Sequence, residues 1–495
     1  MAIETELKLH ITPENLARLK RHPFLRSIST SRARTLKLYS IYYDTGDLEL
    51  RRRAMALRLR RAGKQFLQTL KGGGEVSAGL HQRNEWETPV PSEQLDFNLL
   101  KACGGELPHG VRNRLQPVFV TDFSRSVRLL SFEDAEIELC MDSGEIRAGQ
   151  SSCPISELEL ELKSGAPQLL FKLALILLDL VPLQVEHTSK AEYGYLLFSA
   201  DKPTPSKGRF PTLKDSQSIA STLQSLVGAC LAHVQSNVPG ALLKLDEEYL
   251  HQVRVGLRRL RVVLSITHRF RPDAELAVLR EQVKKLCLEL GRSRDWDVFV
   301  TQTLAPICTR LPEHDGLREV LSVSEQARKH QHAGMEHSLA SQEFQRLLLR
   351  FGAWMHCDQW GESDSTLEQF AIRALKKRSK AVIKYGGAMI GYDPVQLHRL
   401  RIACKKLRYS TEMFSSLFAE SKTRSYVAKL SELQDILGTL NDIAVAHRLL
   451  NELDNAARHD TLALIRGWME HDYAGRVTEF VTVWKKFSAQ KGFWD

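Results

Sequence analysis

Residues 4–8 read Glu4-Thr5-Glu6-Leu7-Lys8. Successive side chains of a β-strand point to opposite faces, so Glu4, Glu6 and Lys8 share one face while Ile3, Leu7 and Leu9 take the other. The pattern recurs through the first 200 residues. Leu57-Arg58-Leu59-Arg60 repeats it with cations, Arg83-Asn84-Glu85-Trp86-Glu87 with mixed signs, and Glu157-Leu158-Glu159-Leu160-Glu161-Leu162-Lys163 with three carboxylates. One such strand suits a protein surface. Several, with strong β-formers between the charges, predict a sheet that turns its charged face inward.

The chain has 495 residues, enough for two or more domains that each bury a core. Its formal net charge of +10 and pI near 9.1 favour polyanionic partners: phosphate chains, nucleic acid or an anionic surface. The eight cysteines form no C-x-x-C pair and have no regular spacing, which predicts reduced thiols rather than disulfides or a zinc site. The first residues have no apolar signal core, and Leu169–Leu183 is broken by Lys172 and Asp179 and is too short to span a bilayer. A cytoplasmic protein without a membrane segment is the expectation.

Composition shifts at Ser199–Ser216, a stretch rich in Pro, Lys and Ser. The expected division is a β domain over residues 1–200, a linker over 201–214 and a helical domain over 215–495. Before the linker, Lys71-Gly72-Gly73-Gly74 and Asp142-Ser143-Gly144 read as turns, and two or three helices are expected, including Pro13–His22 and Gln168–Leu180. After it, apolar residues step by three or four, as in Leu257, Leu260, Val263 and Leu264.

The helical half also repeats itself. His251-Gln252-Val253-Arg254-Val255-Gly256-Leu257-Arg258-Arg259-Leu260-Arg261 aligns with His398-Arg399-Leu400-Arg401-Ile402-Ala403-Cys404-Lys405-Lys406-Leu407-Arg408, and Leu290–Asp295 falls on Leu437–Asp442 at the same offset of about 147 residues. A duplicated bundle follows, with halves near 215–360 and 361–495.

A charged interior constrains the chemistry, because buried ions must pair, stay wet or meet a ligand of opposite charge. Lys8, Arg58, Arg60, Lys71, Arg83, Arg125 and Lys190 supply a cationic region suited to phosphate oxygens. Glu4, Glu6, Glu159 and Glu161 supply an acidic region suited to Mg²⁺ or Mn²⁺, with Glu138 and Asp142 on one face of a further strand. Together they point to metal-assisted attack on a phosphoanhydride. The same residues could instead form a salt-bridge lattice that closes the barrel.

Six ordered motifs carry a resemblance: Glu4-x-Glu6-x-Lys8, Leu57-Arg58-Leu59-Arg60, Leu70-Lys71-Gly72, Thr121-Asp122-Phe123-Ser124-Arg125, Ile155–Glu161 and Ser189-Lys190-Ala191. This region resembles the CYTH superfamily of triphosphate tunnel metalloenzymes. The His-x-x-Arg helices resemble a CHAD domain, and the order CYTH then CHAD resembles bacterial inorganic triphosphatases. The resemblance implies an α+β two-domain chain: an eight-stranded antiparallel β tunnel with a few helices, then an all-α duplicated bundle. It implies hydrolysis of triphosphate to pyrophosphate and phosphate with Mg²⁺ or Mn²⁺, and polyphosphate binding by the helical domain. Members acting on nucleoside or thiamine triphosphates, adenylate cyclases, and a non-catalytic binding protein are the alternatives.

Roles then divide as follows. Glu4, Glu6, Glu159 and Glu161 are expected to bind metal, and Glu6, Lys8, Glu159 and Glu161 to be central to catalysis. Lys8, Arg58, Arg60, Lys71, Arg83, Arg125 and Lys190 are expected on the phosphates, and Arg60 or Arg83 could instead orient a neighbouring glutamate. Glu157 is expected either to bind metal or to sit at the tunnel rim, Glu85 and Glu87 are expected to balance Arg83, and Glu138 and Asp142 to hold a second metal, orient water or join the lattice. In the helical half, His251, Arg254, Arg258 and Arg261 form one stripe and His398, Arg401, Lys405 and Arg408 its copy, both expected to bind polyphosphate. Arg294-Asp295 and Asn441-Asp442 are expected as their internal partners. Low aromatic content and the lack of a base-reading motif argue against nucleic acid.

Overall fold

The computed structural model describes residues 2–201, 203–357, 360–361, 363–389, 392–453 and 459–494, apart from the side chains of Ala2, Ile3, Glu75 and Ser77. Ile3, expected on the apolar face of the first strand, is therefore outside the described side chains. The chain forms two compact units. The first comprises Met1–Ser206, Gln235–Tyr249 and Ser341–Gln359, and the second Lys207–Val234, Leu250–Ala340 and Trp360–Asp495.

The first unit is built on β1 (Ala2–His10), β2 (Arg34–Asp44), β3 (Met55–Ala62), β4 (Gln65–Ser77), β5 (Leu80–Val90), β6 (Gln116–Phe132), β7 (Ala135–Ala148) and β8 (Ser151–Ser164). They run in the order β5-β4-β3-β2-β6-β7-β8-β1, and β1 pairs back onto β5, so the antiparallel sheet closes into an eight-stranded barrel with no free edge. A two-residue β9 (Gln184–Val185) adds to the end of β1.

The barrel is inside out relative to a small soluble barrel. Leu7, Leu9, Leu158 and Leu160 point outward and are fully buried, because the apolar Gln168–Leu180 helix packs over β1 and β8. A second helix, Gln342–Met355, then covers that one. Gly352 seats the Phe171 ring, the Gln345 side chain accepts from the Val185 amide at 2.9 Å, and Arg346 pairs with Asp179 at 2.6 Å. This later segment belongs to the first unit although its composition is that of the helical half. Helical periodicity reveals an apolar face but not the element that covers it.

Both glycine stretches expected to be turns lie inside strands. Gly73 and Gly74 have φ of +65° and +93° at the point where the β4–β5 register shifts, so they form a bulge. Gly144 lies mid-strand in β7, and a Cβ there would strike the Asp122 carbonyl and the Phe123 backbone. Before the linker, Pro13–Lys20, Gln168–Leu180 and Lys190–Ser199 are joined by three short helices, Pro23–Ser27, Glu49–Arg52 and Phe97–Ala102, which are too brief to show a period.

The second unit is helical. The His251 motif lies on Glu247–Phe270 and its copy on Pro394–Phe414; the Leu290 motif lies on Ala274–Val298 and its copy on Glu420–Glu452. Its buried core includes Trp296, Phe299, Leu317, Leu449 and Ile465. The structure shows no disulfide among the described cysteines, and no described helix is long and apolar enough to cross a membrane.

Gly144→Ala should destabilise the barrel by about 1–3 kcal/mol, because its neighbours are backbone atoms that cannot turn aside. Chemical denaturation followed by circular dichroism measures this.

Candidate active site

Closure and period two decide which side chains meet inside the barrel. In register, Glu4 faces Arg83, Glu6 faces Glu161, and Lys8 faces Glu159. Asp142 lies opposite both Glu157 and Arg125, Lys71 opposite Glu85, and Arg58 opposite Tyr42. The charged faces read from sequence therefore line one interior.

On one arc Asp142, Glu157 and Glu159 converge, each buried, with ligand oxygens within 4.8 Å of one another. Lys190, at the start of the Lys190–Ser199 helix, reaches into them: its Nζ lies 2.7 Å from Asp142 Oδ2 and 3.0 Å from Glu159 Oε1, and it also pairs with Glu157. Arg125 binds Asp142 through Nε and Nη2 at 2.8 and 2.7 Å and reaches Glu159 as well. Lys8 bridges Glu6 at 2.9 Å and Glu159.

These ion pairs set the protonation. Burial would raise the Glu159 carboxyl, but Lys190, Lys8 and Arg125 outweigh it and hold it well below the usual range. Burial prevails at Glu157, whose carboxyl is pushed up to about 7 against the pull of Lys190. Burial would lower Lys8, yet Glu159, Glu6 and Glu157 keep it well above its ordinary value.

The opposite arc is cationic. Lys71 pairs with Glu4 and lies 3.4 Å from Glu85; Arg58 lies 3.4 Å from Glu85 and 3.7 Å from Glu87, and its Nε has no partner. Glu85 and Glu87 thus balance Arg58 and Lys71, not Arg83 as expected. Cross-strand register brings β3 and β4 to these carboxylates, whereas Arg83 on the same strand points alongside them. Arg60 donates to Ser40 at 3.2 Å, and among the described residues neither Arg60 nor Arg83 has an ion pair with a carboxylate. Burial, with Arg58 and Arg125 nearby, brings Arg60 down to about 10.

Compared with the sequence-based roles, the acidic centre shifts along the lumen. Of Glu4, Glu6, Glu159 and Glu161, Glu159 belongs to the compact carboxylate cluster. Glu4 turns to Lys71, Glu6 to Lys8, and Glu161 to Lys163 at 2.6 Å, with Glu138 also 3.7 Å from Lys163. Glu157 is buried in the cluster rather than at the rim, because it sits directly across from Asp142. Tyr42 was missed: it faces the lumen between Arg58 and Arg60, stacked on Phe119 at 4.4 Å, in a run of aromatics with no charge alternation to mark it.

The donor set suits a hard divalent cation, being three clustered carboxylates with cationic neighbours in place of an ion. A divalent ion bound there would polarise phosphate oxygens and acidify a water. Asp142, Glu157 and Glu159 are the residues to hold it.

In the helical unit, Arg254 donates to the Leu290 and Gly291 carbonyls, Arg258 Nε to the Tyr409 hydroxyl at 3.2 Å, and Arg401 lies 4.0 Å from Asp442. His398 Nδ1 meets Asn441 at 2.7 Å, and Arg408 pairs with Glu412 at 3.3 Å. Asn441 and Asp442 thus do contact the second stripe. Asp295 forms an ion pair with Arg448 at 2.9 Å on the Glu420–Glu452 helix, and Arg254 and Arg401 of the stripes also act on its charge. Burial first, then Arg401 and Arg258, bring Lys405 down to about 7.

A family model described as a CYTH domain matches residues 2–195, and one described as a CHAD domain matches residues 225–451. The chain is similar to the inorganic triphosphatase of Haemophilus influenzae, 36% identical over 199 residues, which is 40% of this chain and 56% of that protein. The match thus spans little more than half of that relative's length. An uncharacterized protein of Mycobacterium tuberculosis is 25% identical over 467 residues, 86% of this chain and 85% of that one. Among solved structures, the CHAD domain from the plant Ricinus communis matches with a TM-score of 0.52 at 29% identity, covering 58% of this chain and 98% of that one.

Lys190→Met should leave three buried carboxylates short of a counter-ion and destabilise the metal-free protein by about 3–5 kcal/mol. Thermal melts should show a larger gain on adding Mn²⁺ for this variant than for the parent. Equal gains would mean the cluster does not hold the ion.

Proposed function

Since the chain joins a CYTH domain to a CHAD domain, we propose that it is a divalent-metal-dependent hydrolase that cleaves inorganic triphosphate to pyrophosphate and phosphate, using Mg²⁺ or Mn²⁺, and that its helical domain binds polyphosphate. The observation that carries the hydrolase reading is the closed lumen with a carboxylate cluster on one arc and guanidinium and ammonium groups on the other. The similarity to an inorganic triphosphatase supports the substrate.

Each group has work to do on a phosphate chain. Arg58 and Arg60 present forked donors that match phosphate oxygens, and Arg60 has no carboxylate to release first. Lys71 and Arg83 extend the arc toward Glu4, so a linear anion lies along it. Lys8, Arg125 and Lys190 neutralise the carboxylates opposite and stand next to any charge that develops on the leaving pyrophosphate. Glu6, held by Lys8, and Glu161 with Glu138, held by Lys163, position the cations on the acidic arc. The low-dielectric lumen strengthens these interactions relative to open water.

Phosphate release from triphosphate should depend strictly on a divalent ion. Glu159→Gln should lower kcat by orders of magnitude with KM little changed. Arg58→Ala should weaken substrate binding by about 1.5–3 kcal/mol. Turnover in excess chelator, or near-normal kcat for Glu159→Gln at saturating metal, contradicts the reading.

For the helical domain, the support is the pair of matched stripes, His251/Arg254/Arg258/Arg261 and His398/Arg401/Lys405/Arg408. Lys405 is half-buried among Arg401, Arg258 and Arg408, with Asp442 the opposing charge, and loses its proton near pH 7. A polyanion favours the protonated form, so binding takes up a proton and affinity falls as pH rises through 7. Fluorescence anisotropy of labelled polyphosphate should show this fall, and Lys405→Arg, charged throughout, should flatten it.

A further inference from the structure

His81 opens the lumen face of β5 that continues through Arg83, Glu85 and Glu87. In register it faces Glu6 on β1, with Val76 across on β4. It is 1% exposed, and neither ring nitrogen has a hydrogen-bond partner among the described residues. Buried polar groups are nearly always hydrogen-bonded, and an unmatched one costs free energy. A ligand entering the lumen can remove that cost.

The carboxylates around His81 are already engaged. Glu6 is held by Lys8 at 2.9 Å and Glu4 by Lys71. Glu186, on the segment after β9, accepts from the Thr188 amide at 2.7 Å and the Tyr193 hydroxyl at 3.1 Å, while its own amide donates to the Lys8 carbonyl at 2.9 Å. That last bond fixes the segment against β1, and His187 comes to lie near His81. His187 Nδ1 is likewise buried without a partner. Burial, then Lys8, Arg83 and His187, keep the His81 ring well below its ordinary value; the Glu186 main chain pulls the other way, and least. The ring is neutral in the free chain at neutral pH, with one N–H to donate and one lone pair to accept.

Its neighbours decide the class of ligand. Because β1 and β5 are antiparallel with Glu6 opposite His81, Arg83 lies two residues toward one end of the lumen and Lys8 toward the other. A metal ion at the ring would face both cations. An anion offsets them and brings oxygen acceptors to the ring. Once Lys8 and Arg83 are offset, a proton on the imidazole is no longer opposed, and the imidazolium presents two N–H donors to those oxygens. We propose that His81 contacts a phosphate of the bound triphosphate and takes up a proton from solvent as the chain enters, so that binding in the lumen is coupled to protonation. This rests on the triphosphatase reading of the lumen. The ring holds its proton more tightly in the complex than in the free chain, so affinity gains from this proton at low pH and loses it as pH rises through the value for the complex.

Calorimetric titration of the full chain with non-hydrolysable imidotriphosphate and Mg²⁺, in buffers of different ionisation enthalpy, counts the protons taken up on binding. His81→Gln keeps a hydrogen-bond donor that does not titrate, and any uptake at Lys405 is common to every arm. At about pH 6.5 the parent should take up about one proton more per bound analogue than the variant and bind about tenfold more tightly, and by about pH 8.5 this advantage should be gone. His81→Asn gives the same comparison if the glutamine variant does not fold. Equal proton counts and equal pH profiles for parent and variant overturn the role of His81 and leave the triphosphatase reading standing. Arg58→Ala serves as the reference arm. If it binds the analogue as the parent does, the lumen reading itself fails, and the proposal with it.

Discussion

A charge moved from water into a protein interior costs several kcal/mol unless an opposite charge meets it there. Much of the barrel's interior is made of such charges, so the strands that carry them must bring most of them close to a partner. This requirement fixes the register: Lys8 across from Glu159, Lys71 across from Glu85, and Asp142 between Arg125 and Glu157. A slip of one residue in any strand would carry its charges into the apolar outer layer. The fold and the site are therefore specified by the same residues.

The same constraint gives the lumen its capacity for a ligand. Its internal ion pairs are matched but replaceable: Lys190 and Arg125 occupy the space among three carboxylates that suits a divalent cation, and Glu4, Glu85 and Glu87 occupy the cations that suit phosphate. On the proposed reading, a divalent cation and a triphosphate together would satisfy both arcs at once. Neither alone does so.

Much of this was legible in the sequence because a charge on every second residue has few uses in a strand. A sheet with its charged face inward and the duplicated helices follow from spacing, and the eight-stranded barrel from the resemblance that the ordered motifs carry. Spacing did not show which carboxylates converge. Glu157 and Asp142 meet only through β7–β8 register, a pairing that neither strand's own pattern reveals. Gly144 reads as a turn because glycine is usually read that way; it is instead required by the close approach of β6 to β7.

The central claim is that the lumen exchanges internal ion pairs for a cation and a phosphate chain. A crystal structure of the full chain with Mn²⁺ and a non-hydrolysable imidotriphosphate, using anomalous scattering to locate the metal, tests this most directly. The account predicts Mn²⁺ bound by Asp142, Glu157 and Glu159 with the phosphates against Arg58 and Arg60. Metal and analogue bound outside the barrel, with the Lys190 and Arg125 ion pairs intact, would contradict it.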